Sequence, residues 1–466
     1  MRLMKYFLVV GVTFILFFSC KKENFITSPQ ARLSVSADTL FYDTVFTTAG
    51  SITKSFKIFN LNDQKLRLSK VKLMGGNTSA FKINVDGISA AEVNNIEIAA
   101  NDSIYVFVQV NVNQTTTNLP FILTDSILIN HNGNTTYLQL QAFGQNANFI
   151  KNVKLTANTT WTNTLPYVIL GGLQVDASAT LTIQAGTKIY AHADAPLLVD
   201  GTLLVNGTKQ NPVIFTGDRL DPDYKDLPAS WPGIYFRAPS RNNILKFAVI
   251  KNAFQAVVVQ DPSVNANPKL ILSQTIIENA YDAGIISLNS FVQADNTLIS
   301  NCGSNILLAL GGDYQFTHCT VASYGSFYIE HKKPVLQIAN YILQNNQPVT
   351  ANLTARFTNC IFWGEGGSVD DEVVILKQGN TIFNVTFDHI LYKVKTDPAN
   401  STFIASIKNQ APLFDSINTF KQYFDFRFTK NANAPAVNKG IITSFPKDLD
   451  DKNRANGLPD LGSYEK

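Results

Sequence analysis

One spacing limits what this chain can fold into. The segments "LKFAVIKNAFQAVVV" (245–259), "LSQTIIENAYDAGIIS" (272–287) and "ADNTLISNCGSNILLA" (294–309) carry Asn252, Asn279 and Asn301 at the same place, 27 and 22 residues apart. Upstream, "LTIQAGT" and "LLVNGT" place Ile183 and Val205 22 apart, and downstream "QFTHCTVASYGSFYI" places Ser323 another 22 on. "RFTNCIFWGEGG" (356–367) and "NVTFDHILYKV" (384–394) repeat the first half of the unit. A fixed period of this length marks a solenoid. Short β-like segments with no 3.6-residue periodicity predict a right-handed parallel β-helix over residues 150–466.

Each coil then stacks on the next at about 4.8 Å, the spacing of paired strands. Val249, Ile276, Leu298, Thr320, Ile361 and Ile390 form one column of equivalent positions. Ala248, Thr275, Thr297, Cys319, Cys360 and His389 form the neighbouring one. The first is the more apolar and is expected to point inward. Asn252, Asn279 and Asn301 follow the strand directly. Asparagine tolerates left-handed geometry and carries an amide, so all three are expected to turn the chain and pass hydrogen bonds between coils.

Residues 31–147 differ. "SFKIFN", "KLRLSKVKL", "AFKINVDG", "DSIYVFVQVNV" and "TTYLQLQAFG" alternate with period two and are broken by Asn, Gly and Asp turns. About seven such strands predict an immunoglobulin-like β-sandwich ahead of the solenoid, so the fold class is all-β throughout. "TVFTTAGSITKSFKIFN" with "INVDG" and "DSIYVFVQVNV" resembles the Ig-like modules of the Hydin and choice-of-anchor groups.

At the extreme N-terminus, Arg2 and Lys5 precede the apolar run "FLVVGVTFILFF" (7–18), which is too short for a good membrane span. "FFSC" follows and resembles the bacterial lipobox. That resemblance implies a signal peptide over 1–19 and a lipidated Cys20 that anchors the chain in the outer membrane. Residues 20–30 then read as a polar tether. Acyl chains on one Cys anchor firmly, because each buried CH2 contributes about 0.8 kcal/mol. The chain carries 38 Lys and Arg against 35 Asp and Glu; without Arg2 and Lys5 the balance is 36 to 35, or +1. No basic surface is implied, so nucleic acid is not an expected partner.

"LTIQAGTKIYAHADAPLLVDGTLLVNGT", "WPGIYF" (231–236) and the ending "DLDDKNRANGLPDLGSYE" (448–465) together resemble the pectate-lyase-like β-helix superfamily. The fold hosts lyases, hydrolases, adhesins and inert scaffolds, so the resemblance implies fold more than activity. Lyases of the superfamily use an acidic Ca²⁺ site with a basic residue as proton acceptor, and hydrolases use paired carboxylates. "DDE" (370–372) is the nearest pair and reads as a turn. The other acidic cluster is "FTGDRLDPDYKDLPASW" (215–231), with Asp218, Asp221, Asp223 and Asp226. It is either a Ca²⁺ site, since Ca²⁺ takes six to eight oxygen ligands, or a long insertion between two strands; otherwise no cofactor is expected. A metal site from Cys319, Cys360 and His389 lacks a fourth ligand and a CxxC motif.

Tyr224, Trp231 and Tyr235 are candidates for stacking on sugar rings. The expected role is a lipid-anchored envelope scaffold that binds a polysaccharide or a surface protein. The alternative is a polysaccharide lyase or glycoside hydrolase acting at the acidic loop.

Overall fold

A computed structural model describes residues 24–46, 52–113, 121–430, 433–454 and 457–466. Cys20 and the apolar run before it lie outside the described residues. The chain divides into two compact units, Met1–Asn146 and Ala147–Lys466.

The first unit is two five-stranded sheets. One runs Leu33–Val35, Lys54–Asn60, Ser103–Val110, Phe81–Val85, Ile88–Ser89 in spatial order; the other runs Thr39–Phe46, Asn134–Gln145, Phe121–His131, Leu66–Leu73, Glu92–Ile98. There are ten described strands where the alternation predicts about seven. The pairings are antiparallel except Thr39–Phe46 against Asn134–Gln145. Period-two alternation sends Phe56, Ile58, Val106, Val108, Ile127 and Ile129 into one shared core.

Residues 25–30, which the sequence places in a tether, pack against the first unit. Phe25 bridges Lys65, Ile26 N–H donates to the Lys65 carbonyl at 2.8 Å, and the Arg67 guanidinium sits 4.1 Å from the Phe25 ring centre. The Asn132 amide holds the carbonyls of Ile26 and Ser28. Residues 25–30 pack because the sandwich supplies partners for their backbone groups, which a polar composition does not reveal.

The second unit is a parallel β-helix: 26 strands in one sheet, each paired in parallel with its equivalent one coil on. Three stacks of strands give each coil three sides. Strands Thr202–Asn206, Val213–Gly217 and Ile234–Phe236 represent the three sides of one coil. The interior is a continuous column of Val, Ile, Leu, Phe and Ala. Its widest part is a stack of rings on successive coils: Phe316 on Phe357 (5.3 Å), Phe357 on Phe387 (5.0 Å) and Phe387 on Phe403 (4.7 Å).

Two sequence expectations about this side of the helix are reversed. The inward column is Ala248, Thr275, Thr297, Cys319, Cys360, joined by Ile390 rather than His389, since Leu391 is the partner of Ile361. The column of Val249, Ile276, Leu298, Thr320 and Ile361 points outward. It is apolar because residues 414–464 cover it: Leu298, Ile361 and Leu391 share a second core with Phe414, Phe426, Phe428, Leu449 and Leu461. His389 instead stands at the corner before the strand, φ 52°, in line with His318 (52°) and Asn359 (53°). Cys319, Cys360 and His389 therefore form no metal site, and the three described cysteines are buried free thiols.

That corner column is where the C-terminal segment docks. Gln274 donates to the Asp448 carbonyl (2.7 Å), Asn296 accepts from Arg454 (2.7 Å), and the Asn359 amide exchanges two hydrogen bonds with the Ile441 backbone. Arg454 also pairs with Glu465 at 3.1 Å, both side chains nearly fully buried. Gly462, at φ 86°, passes so close that a Cβ there would lie 2.6 Å from Thr320 Oγ1.

His318 belongs to the same seam. It is fully buried, and its Nε2 faces the Asn359 amide at 3.1 Å and the Thr443 hydroxyl at 3.2 Å. Both groups can donate, so Nε2 accepts and the ring is neutral. Burial, reinforced by the Arg454 charge, lowers its pKa to about 2. Below the unfolded value of about 6.5, only the unfolded chain takes up this proton, so stability falls as pH falls. Urea titrations at pH 7, 6, 5 and 4 should show wild type losing up to about 1.4 kcal/mol per pH unit more than His318→Gln across that window. Parallel stability curves for the two proteins would refute it.

Candidate functional site

Three consecutive coils turn through plain corners at Asn252, Asn279 and Asn301, with φ of 62°, 54° and 50°. Asn279 donates to Asn252 Oδ1 at 2.9 Å, and Asn301 Oδ1 accepts from Tyr324 N–H at 2.9 Å. On either side of these short corners the chain makes long inserts, residues 218–230 before them and 324–334 after. The result is a cleft of about 340 Å³ whose floor is the three asparagines. Pro222, Asp223 and Asp226 line one part of it; Phe327 and Tyr328, with Lys421, Gln422 and Phe424 of the C-terminal hairpin formed by Ser416–Asn418 and Tyr423–Asp425, line the other.

A second cleft, of about 560 Å³, shares Ser326, Phe327 and Gln422 with the first and extends past Tyr324, His331, Gly366 and Phe420. The rings at these clefts are open to solvent: Phe327, which lines both, is 65% exposed, Tyr328 in the first 50% and Phe420 in the second 82%. Flat ring faces beside amides, hydroxyls and charges can stack on the C–H face of a pyranose while bonding its hydroxyls.

The acidic loop is held rather than free. The Asn252 amide donates to the Lys225 carbonyl (2.7 Å) and the Asn279 amide to the Asp226 carbonyl (2.8 Å), while Ser230 N–H bonds the Asn252 carbonyl. Its four carboxylates do not converge. Asp218 pairs with His192 Nδ1 at 2.7 Å, and Asp221 accepts from Arg219 at 3.0 Å. Asp223 and Asp226 alone face the cleft. Among the described residues no three His, Cys, Asp or Glu side chains are placed to share a metal ion. His192 and Arg219 engage two of the four carboxylates, so the loop does not turn all four toward one point.

The aromatic candidates also change. Trp231 is buried and donates its indole N–H to the Lys251 carbonyl at 2.9 Å. It cannot stack on a ligand. The adjoining Gly233, at φ 125°, is required there: a Cβ would sit 1.7 Å from the Gln255 carbonyl. Tyr224 has the Arg219 guanidinium 3.8 Å over its ring, and Tyr235 is half-buried, its hydroxyl on the Pro232 carbonyl. The rings that do face solvent at the clefts are Phe327, Tyr328 and Phe420, which no period marked, because they lie in an insert and in the C-terminal hairpin.

Two acidic groups escaped sequence reading. Glu278 lines the first cleft, where burial raises its carboxyl pKa; Lys251 opposes the shift and Asp226 adds to it. Glu372, from the "DDE" turn, is fully buried and accepts from His331 Nε2 at 2.8 Å and from Val335 N–H at 3.2 Å. It ties the insert 324–334 to the next coil and so fixes the wall of the second cleft. Its one sequence signal is its place just before the apolar strand Val373–Leu376.

Comparisons with known proteins agree with the architecture and say little else. No curated protein matches the chain. A family 123 glycoside hydrolase from Clostridium perfringens overlaps 28% of this chain and 31% of its own at 9% identity and TM-score 0.19. This chain thus spans about a third of that enzyme. The PapD-like domain 7 of human CEP192 overlaps 26% of this chain and 92% of its own at 10% identity and TM-score 0.20. The catalytic unit of a GH87 α-1,3-glucanase from Streptomyces thermodiastaticus overlaps 76% and 89% at 9% identity and TM-score 0.20. Likenesses this distant carry no function across. Residues 153–247 match the family described as the pectate-lyase-like β-helix domain, and they lie in a parallel β-helix that continues far beyond the match.

Proposed function

We propose that this chain is a lipid-anchored protein of the bacterial outer membrane whose β-helix binds an extended glycan across the two clefts. The observation that carries the reading is the set of exposed rings at the two adjoining clefts: Phe327, which lines both, Tyr328 in the first and Phe420 in the second. The pectate-lyase-like match agrees with a carbohydrate role, and the lipobox-like "FFSC" supports anchorage at Cys20. Binding without turnover is the simpler chemistry, since two of the loop's four carboxylates are engaged by His192 and Arg219 away from the cleft. The competing reading is hydrolysis in the first cleft, with Glu278 as the proton donor, favoured by its raised pKa.

A glycan array probed with the full chain should give hits that Phe327→Ala/Phe420→Ala weakens by about tenfold or more, the scale of one or two lost stacking contacts. The same hits incubated with wild type should release no reducing sugar. Release abolished by Glu278→Gln would replace binding with hydrolysis, and an array without hits would end both readings. Labelling of cells with an alkyne fatty acid should mark wild type and not Cys20→Ser; equal labelling would remove the anchor.

A further inference from the structure

The outer face of one sandwich sheet carries an exposed pair of stacked aromatic rings. In strand Ser103–Val110, Ile104, Val106, Val108 and Val110 point into the core, leaving Tyr105, Phe107 and Gln109 outside. Tyr105 and Phe107 are 44% and 41% exposed. Their ring centres are 5.7 Å apart and their planes differ by 15°, so the two rings lie nearly parallel. The flanking strands place polar groups beside them. Lys57 stands opposite Tyr105, its ammonium 4.6 Å from the ring centre; Ser55 and Asn84 flank Phe107; Lys82 stands opposite Gln109. A shallow hollow of about 270 Å³ opens beside Phe107, between Thr53, Asn84 and Lys82.

The charge of this sheet is one-sided. Its five strands hold Lys54, Lys57 and Lys82 and no Asp or Glu. The opposite sheet cancels its own charges across strands, through Arg67–Glu97 (2.9 Å), Lys70–Glu92 (2.9 Å) and Lys72–Glu92 (3.2 Å). On the outer face Lys82 donates to the Asn77 carbonyl, whereas Lys54 turns to the other sheet, to the Phe41 carbonyl and the Tyr42 ring. Single exposed apolar side chains are ordinary. Two parallel rings set in rows of amide, hydroxyl and ammonium groups match the amphipathic face of a sugar bearing an acid.

We propose that this sheet face is a binding site for an acidic polysaccharide. Phe107, with Tyr105 stacked behind it, offers its free face to a pyranose ring, Asn84, Ser55 and Gln109 meet hydroxyls, and Lys57 and Lys82 pair with the acid groups. The site is separate from the β-helix clefts and stands or falls without them.

Affinity electrophoresis of the full chain through gels containing polygalacturonate or dextran tests it. Retardation by polygalacturonate and not by dextran is expected, weakening as salt is raised. Tyr105→Ala/Phe107→Ala and, separately, Lys57→Gln/Lys82→Gln should each raise the apparent Kd about tenfold, while Tyr137→Ala, on the outer face of the other sheet, leaves it unchanged; the cleft variant Phe327→Ala/Phe420→Ala is run beside them. These side chains are surface groups, and unchanged thermal unfolding of each variant checks the fold; should the aromatic variant misfold, the lysine variant decides alone. The proposal is overturned by no retardation, by equal retardation in dextran, or by loss only in the cleft variant. Light scattering that shows a dimer abolished by the aromatic variant also overturns it, since the face then binds a second copy.

Discussion

Arg454→Met is expected to cost about 3–5 kcal/mol of stability, the usual penalty for breaking a buried ion pair from one side. The substitution takes the Arg454 charge from the buried Glu465 and removes the partners of Asn296 Oδ1 and the Gly462 carbonyl. None of these groups can turn to water without lifting the C-terminal segment off the helix. The loss should therefore be local in its first stage. Hydrogen exchange should quicken in residues 441–466 and in the outward column of Leu298, Ile361 and Leu391, which that segment covers. Denaturant unfolding gives the magnitude, and Arg454→Met/Glu465→Gln should recover part of it, because no unpaired charge then remains buried. A loss below about 1 kcal/mol would mean that the apolar contacts alone hold the segment.

Phe357→Ala should be comparably damaging for a different reason. The ring lies between Phe316 and Phe387 at 5.3 and 5.0 Å and meets Phe362 edge-on at 5.4 Å. Removing it leaves a cavity inside a closed coil that strand pairing prevents from collapsing. The expected cost is about 3–5 kcal/mol by denaturant or thermal unfolding. Because a solenoid is held by nearest-neighbour contacts, exchange should accelerate mainly in the coils around residues 312–392. Phe420→Ala, at a ring 82% exposed, should change stability by no more than about 0.5 kcal/mol. Equal losses in the two variants would contradict this assignment of core and surface.

The repeat of 22–27 residues was enough to read the β-helix, because stacking identical turns demands equivalent residues at equivalent places. Asn252, Asn279 and Asn301 were readable as corners for the same reason: few residues other than asparagine and glycine accept a left-handed turn at low cost. Which of two alternating columns pointed inward was misread. Apolar character marks burial, and burial on the outside of a coil looks the same in sequence when a distant segment covers it. Residues 414–464 do this to Leu298, Ile361 and Leu391. The slip of one residue at His389 had the same origin, since a corner histidine bonded to Asp388 occupies a place that asparagine fills elsewhere.

The sequence alone determined the all-β class, the two-part organisation and the corners of the solenoid, since each follows from short-range periodicity and from the backbone preferences of single residues. Only the tertiary structure decided the site. The clefts arise where inserts more than a hundred residues apart meet over three short corners. The acidic loop does not turn its four carboxylates toward one point, since His192 and Arg219 engage two of them. The solvent-facing rings lie in segments that obey no repeat. Local rules fix how a coil turns, but which side chains end up facing one another depends on where unequal insertions fall along the stack.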